Sequence, residues 1–140
     1  MQTIRTINNR RIGVVLTLLS LCAMVIIFEC GKIHRNIALF IAIEIIAFLI
    51  FSVSFVLTYL KTGIWQFTHK ALKKLDEREI ALTSKSLRIA YAVFTVVILI
   101  LLLSLAITDT PASIVLVASL ILLAHILPAS AIAWTENYER

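Results

Sequence analysis

Charged residues, glycine and proline are all scarce in this sequence, and each shortage excludes a class of protein. Only 15% of the 140 residues are charged and 61% are hydrophobic, whereas a soluble domain has roughly 25% charged residues. This balance excludes a water-soluble globule and a disordered segment. The 3 glycines and 2 prolines leave little room for loops, so that long apolar runs make up most of the chain. The composition predicts an integral membrane protein.

Cysteine is also rare, and its positions predict neither a disulfide nor a metal centre. Cys22 and Cys30 are eight residues apart on what the sequence predicts to be one helix, which separates their Cα atoms by about 12 Å, too far for a disulfide. Glu29, Cys30 and His34 have metal-ligand chemistry but lack the spacing of a known site. We therefore expect a polar turn there, and no metal or cofactor.

Four segments are long and apolar enough to cross a bilayer as helices. They are residues 12–28, 36–60, 89–108 and 111–135. Crossing about 30 Å of hydrocarbon takes about 20 helical residues, so the first segment is marginal but adequate. No run alternates with period two, as strands would. The predicted fold is all-α, a transmembrane four-helix bundle in a single domain, 1–140, with a cytoplasmic helical loop at 61–88.

The distribution of lysine and arginine predicts the orientation of this bundle. Eleven of these residues lie in the amino-terminal segment, the middle loop and the tail, and two, Lys32 and Arg35, lie on the other side. Since basic loops stay inside, both termini are predicted to be cytoplasmic, in the inner (plasma) membrane of the cell. The net charge of +5 is expected to face anionic lipid headgroups and not nucleic acid, because it lies between apolar runs.

Two helix starts carry capping signals. Asp76 is followed three residues later by Glu79, a capping-box pattern that predicts a helix running from Glu77 into the third span. Thr110 precedes Pro111, and a hydroxyl N-cap before a proline predicts that the fourth helix begins there. The third and fourth helices then form a tight antiparallel hairpin.

Glu44 is the first candidate functional residue, because it interrupts the second span. It lies eight residues into that span, about 12 Å below the outer surface at helical rise. A carboxylate at this depth must be protonated, paired or facing a cavity. Two interpretations stay open: a proton, cation or partner site, or a protonated side chain that makes one interhelical hydrogen bond.

His125 is the second intramembrane candidate. It lies midway along the fourth span, three residues before Pro128, which deprives the carbonyl of Ala124 of its usual donor and favours a kink. A structural hydrogen bond is the favoured role, with a proton-linked role or ligation as alternatives. A tilted packing would bring His125 close to Glu44.

The middle loop supplies a third set of candidates, for contact with lipid or with a partner. These are Lys70, Lys73, Lys74, Asp76, Glu77, Arg78 and Glu79. The stretch has no phosphate-binding glycine loop, no H-E-x-x-H and no nucleophile elbow. Because the basic side chains neutralise the acidic ones, a solvated, salt-bridged helix start is favoured over partner docking.

Small residues four apart predict where helices pack closely. Gly13 and Thr17 form one such pair, which Ser20 extends, and Ala129 and Ala133 form another. In a four-helix protein, both are expected to serve internal packing.

The motif Leu75-Asp76-Glu77-Arg78-Glu79, which runs into a basic and then apolar helix, resembles small bacterial integral membrane proteins of unknown function with a juxtamembrane DERE-like motif. The resemblance implies a bacterial source and brings no activity with it.

Missing catalytic motifs and missing soluble domains favour a non-enzymatic accessory or structural subunit, which packs with other membrane proteins or with itself. The alternative is a homo-oligomeric proton- or cation-coupled transporter or channel that uses Glu44, with His125 assisting. Because four spans leave little room for alternating access, such a transporter needs at least a dimer.

Overall fold

A computed structural model of the chain describes residues 2–33, 37–68, 70 and 75–135. Helix α1 spans Gln2–Ile33, and α2 spans Ile37–Phe55 and continues through a π-helical turn, Val56–Leu60. A short helix, α3, spans Ile64–Thr68, and two long ones follow, α4 at Glu77–Thr108 and α5 at Ile114–Thr135. All regular structure in these residues is helical, as the sequence predicts.

Four of these helices are long and apolar enough to cross a membrane, the same number as the spans that the sequence predicts. The apolar stretches are Asn8–Lys32, Ile37–Leu60, Glu77–Thr108 and Ile114–Thr135. At 32 residues, α4 is about 48 Å long and exceeds the hydrocarbon thickness of about 30 Å. Its charged first turns therefore extend beyond the apolar layer.

The chain forms two compact units, residues 1–63 and 64–140. In the first unit, α1 and α2 pack as an antiparallel hairpin, because the two ends of α1 approach opposite ends of α2. A Cβ atom added to Gly31 would lie 3.2 Å from the Cβ atom of Phe40, and one added to Gly13 would lie 3.2 Å from the Cβ atom of Thr58. The unit ends at Gly63, whose φ of 74° suits a residue without a side chain.

In the second unit, α4 and α5 pack against each other, and α3 contacts α5. The predicted capping box is present at the start of α4: the Asp76 side chain accepts from the backbone N–H of Glu79, and Glu79 Oε2 accepts from the Asp76 N–H at 3.2 Å. Asp76 Oδ1 also accepts from the Glu77 N–H at 2.8 Å. Ala129 and Ala133 on α5 are buried, as expected of a packing pair.

The start of α5 differs from the prediction by three residues. The helix begins at Ile114 and not at Pro111, because Ser113 is the capping residue. Its Oγ atom accepts from the Leu116 N–H at 3.1 Å, whereas the Thr110 hydroxyl contacts that of Thr108. The connection between α4 and α5 is still short. Asp109, in a left-handed backbone conformation with φ of 48°, ends α4.

Candidate functional site

Glu44 lies on α2 beside an apolar pocket of the first unit. The pocket has a volume of about 380 Å³ and is formed by α1 and α2. Its walls are almost entirely aliphatic and aromatic, and Lys32 is the charged residue that lines it besides Glu44. The residues that line the pocket with Glu44 are Ile27, Phe28, Gly31, Lys32, Ile37, Phe40, Ile41 and Ile45. The carboxyl group therefore sits in surroundings that give it few hydrogen-bond partners.

The Oε2 atom of Glu44 is buried and has no hydrogen-bond partner among the residues that the structure describes. Native proteins satisfy the large majority of their buried polar atoms, so each exception requires an explanation. Inside a membrane, ionisable side chains characteristically pair with one another or line a pathway. This atom is the strongest sign of function in the first unit.

Lys32 lines the same pocket but bonds to another carboxylate. Its Nζ atom lies 3.0 Å and 3.2 Å from the two carboxylate oxygens of Glu29, one helical turn earlier on α1. The same ammonium group lies 5.0 Å from the centre of the Phe28 ring, within the range of a cation–π contact. Lys32, the basic residue that lines the pocket, is thus already paired with Glu29.

His125 makes a hydrogen bond to its own helix. Its Nδ1 atom lies 2.8 Å from the carbonyl oxygen of Ile121, so Nδ1 carries the proton and donates it. The ring also borders an apolar cavity of about 450 Å³ between α4 and α5. This hydrogen bond lies within one helix, and the structural, proton-linked and ligating roles of His125 all stay predictions. Glu44 and His125 belong to different units, and a pairing between them stays a prediction.

The charged residues before α4 are organised by the start of that helix. Glu79 serves the capping box and also lies 3.4 Å from Lys70 Nζ. Glu77 and Arg78 are exposed at the first turn, and the predicted candidates Lys73 and Lys74 lie outside the described residues. Asp76 and Glu79 thus cap the start of α4, and contact of this segment with lipid or with a partner stays a prediction.

No group of three metal-ligating side chains is gathered anywhere in the described part of the chain. Cys22 and Cys30 both lie on α1, and one helix cannot bring them within disulfide distance. His34 lies outside the described ranges.

A cluster of hydroxyl groups joins α1 to α2, and the sequence predicts its α1 side but not its α2 side. Thr17 Oγ1 lies 2.8 Å from both the Gly13 carbonyl oxygen and Ser54 Oγ, and Ser54 Oγ lies 2.9 Å from the same carbonyl. The spacing of Gly13 and Thr17 predicts this packing face. Ser54 and Thr58 are also four residues apart, a signal on α2 that was missed.

Comparisons with protein-family models, with curated proteins and with solved structures found no match to this chain. The resemblance carried by Leu75–Glu79 therefore stays an expectation, and function has to be argued from geometry.

The fold and the site define the class of protein. Four long apolar helices, with large aliphatic side chains exposed along each of them, belong to a protein whose solvent is lipid. The chain is a small multi-pass membrane protein.

Proposed function

We propose that this protein is a non-enzymatic accessory or structural subunit, which packs in the membrane with another protein or with a copy of itself. Glu44 is the polar contact of that interface. The observation that carries the proposal is the buried Oε2 atom, which has no hydrogen-bond partner among the described residues. The Glu44 side chain as a whole is half-buried and not enclosed, so that a rotation of its carboxyl group would bring this atom to a donor from a neighbouring transmembrane helix.

The surface around Glu44 supports an interface of this kind. Ile41, Ile45 and Phe48 flank it on α2 and are each more than half exposed, at 54%, 55% and 53%. A helix laid along this face would cover apolar side chains and bring a donor to the carboxyl group. In a bilayer, packing and interhelical hydrogen bonds drive association, because lipid is as apolar as these side chains.

The proposal keeps the predicted orientation, with both termini cytoplasmic and the protein in the inner membrane. The excess of lysine and arginine in the amino-terminal segment, middle loop and tail supports it.

Native mass spectrometry of the tagged protein, extracted from its own membranes in a mild detergent, tests the interface. We expect a defined complex, either with a second polypeptide or as a homo-oligomer. Glu44→Leu should lower the association constant of this complex about fivefold, which corresponds to about 1 kcal/mol from one interhelical hydrogen bond. Ser52→Ala is the matched control, because the Ser52 hydroxyl bonds within α2 to the carbonyl of Phe48, 2.8 Å away. A monomeric wild type, or a complex that survives Glu44→Leu intact, contradicts the proposal.

The same pocket favours a second candidate, a homo-oligomeric proton- or cation-coupled transporter or channel. Glu44 and Lys32 border one cavity, and carboxyl groups inside membranes mark ion pathways. Proteoliposomes with an internal pH dye would then show proton flux that Glu44→Gln abolishes and Ser52→Ala preserves. Unchanged flux in Glu44→Gln would remove this residue from the pathway.

A further inference from the structure

A second, larger groove of the first unit lies between α1 and α2, where α1 begins and α2 ends. It has a volume of about 1000 Å³. Its polar end is formed by Arg10 and Lys61, together with Asn9 and Thr62. The rest of its wall is largely aliphatic and includes Ile12, Leu16, Leu49, Ile50, Val53 and Leu57. One groove thus joins two cationic side chains to a continuous apolar wall.

The length of the groove matches one leaflet of a bilayer. Leu49 and Lys61 are twelve residues apart, which is about 18 Å at helical rise. Half of a hydrocarbon core of about 30 Å is about 15 Å. A molecule with a charged head at Lys61 and an apolar tail reaching Leu49 therefore has the dimensions of a membrane lipid.

The charge at this end of the unit is positive. In residues 1–63 the acidic residues are Glu29 and Glu44, and both lie toward the opposite end of the hairpin. Arg10, Arg11 and Lys61 lie at this end. Arginine and lysine are the side chains that bind phosphate groups in proteins, arginine through its planar fork of donors. The mouth of the groove is therefore complementary to an anionic headgroup.

The apolar wall is open to the side, where lipid chains lie. Ile12, Leu49 and Val53 are 56%, 56% and 57% exposed. A soluble phosphate compound would leave this wall bare, whereas an acyl chain would cover it. The close approach of α1 and α2 at Gly13 and Thr58 forms part of the floor of the groove.

We propose that this groove binds one anionic phospholipid. The phosphodiester group lies at Arg10 and Lys61, and an acyl chain follows the wall toward Leu49. The proposal is independent of the role of Glu44, which lies in the other pocket.

Native mass spectrometry of the delipidated protein tests the lipid site. Two lipids with identical acyl chains are added, dioleoylphosphatidylglycerol and dioleoylphosphatidylcholine. We expect one phosphatidylglycerol bound in preference to phosphatidylcholine. Arg10→Gln with Lys61→Gln should raise the Kd for phosphatidylglycerol about 25-fold, which corresponds to about 1 kcal/mol for each cation. Lys85→Gln with Arg88→Gln is the matched control, since it removes the same charge from exposed positions on α4 and should leave that Kd unchanged.

A second variant tests the apolar wall without changing charge. Val53→Trp places a bulky ring in the groove at an exposed position, and it should also weaken phosphatidylglycerol binding severalfold while far-UV circular dichroism stays helical. Equal binding of the two lipids, an equal loss in the Lys85 and Arg88 control, or capture of a second copy of the chain in place of lipid would overturn the proposal. Displacement of the lipid by soluble glycerol 3-phosphate would assign the groove to a soluble phosphate compound and overturn it as well.

Discussion

The two long-helix hairpins of this protein place their hydroxyl groups differently. In the first, the hydroxyls of Thr17 on α1 and Ser54 on α2 lie 2.8 Å apart, and both side chains are buried. In the second, Thr95 and Ser104 on α4 each donate to the carbonyl oxygen four residues earlier on the same helix, at 2.8 Å. The same chemical group thus joins two helices at Thr17 and Ser54 and bonds to its own helix at Thr95 and Ser104.

Glycine explains the difference. All three glycines of the chain lie in residues 1–63, and none lies in the second unit. At Gly13, the missing side chain lets α2 approach closely enough for Ser54 to reach the Gly13 carbonyl, 2.9 Å away. The second unit instead buries Ala129 and Ala133 on α5, whose methyl groups keep backbones farther apart. A hydroxyl group without a partner helix within reach bonds to its own helix.

The largest expected effect follows from closing the approach at Gly13. In Gly13→Ala, the new Cβ atom would overlap the Oγ1 atom of the buried Thr58. It would also lie 3.2 Å from the Thr58 Cβ atom, a tight contact that rotation of the Thr58 side chain does not relieve. We expect the free energy of unfolding to fall by about 1–3 kcal/mol, the usual cost of overpacking. Unfolding in mixed detergent micelles, followed by circular dichroism, measures it.

Gly31→Ala is the matched control, because both changes gain the same helix propensity. The new Cβ atom at position 31 would meet Phe40 at 3.2 Å, a contact that a shift of a few tenths of an ångström relieves. Thr58→Ala added to Gly13→Ala should restore most of the lost stability. Equal effects at the two glycines, or no rescue by Thr58→Ala, would show that the close approach at Gly13 does not hold the first hairpin together.

The spans and the start of α4 could be predicted from the sequence, because both depend on local properties. A run of apolar residues crosses the membrane whatever its neighbours are, and Asp76 and Glu79 meet within a single helical turn. The predicted start of α5 was wrong for a related reason. Thr110 and Ser113 are both good capping residues, and the sequence does not rank them. The left-handed turn at Asp109 precedes the start of the helix at Ile114.

The arrangement around the candidate sites depends on contacts between helices and could be predicted only in part. Glu44 stands out as a charge inside a span, but the burial of its Oε2 atom depends on how α1 packs beside it. The π-helical turn at Val56–Leu60 has no sequence signal of its own. It ends α2 beside Gly13, where Thr58 faces α1. Arg10 and Lys61 are 51 positions apart in the sequence, so that only the antiparallel pairing of α1 and α2 brings them to one groove.

A smaller loss of stability is expected when a hydroxyl group that joins two helices is removed, and a comparison with a hydroxyl group that bonds to its own helix tests it. Thr17→Val keeps the shape of the side chain but removes its contacts with Ser54 and with the Gly13 carbonyl. Interhelical hydrogen bonds in membranes contribute about 0.6 kcal/mol on average and up to about 1.7. We expect the free energy of unfolding to fall by about 1 kcal/mol, since the Ser54 hydroxyl also loses a buried partner.

Thr95→Val makes the same chemical change on α4, where the hydroxyl bonds to its own helix, and the free energy of unfolding should stay within about 0.5 kcal/mol of the wild type. If the two substitutions cost the same in the micelle unfolding assay, the hydroxyl cluster adds nothing beyond a local bond, and the difference between the hairpins rests on glycine alone.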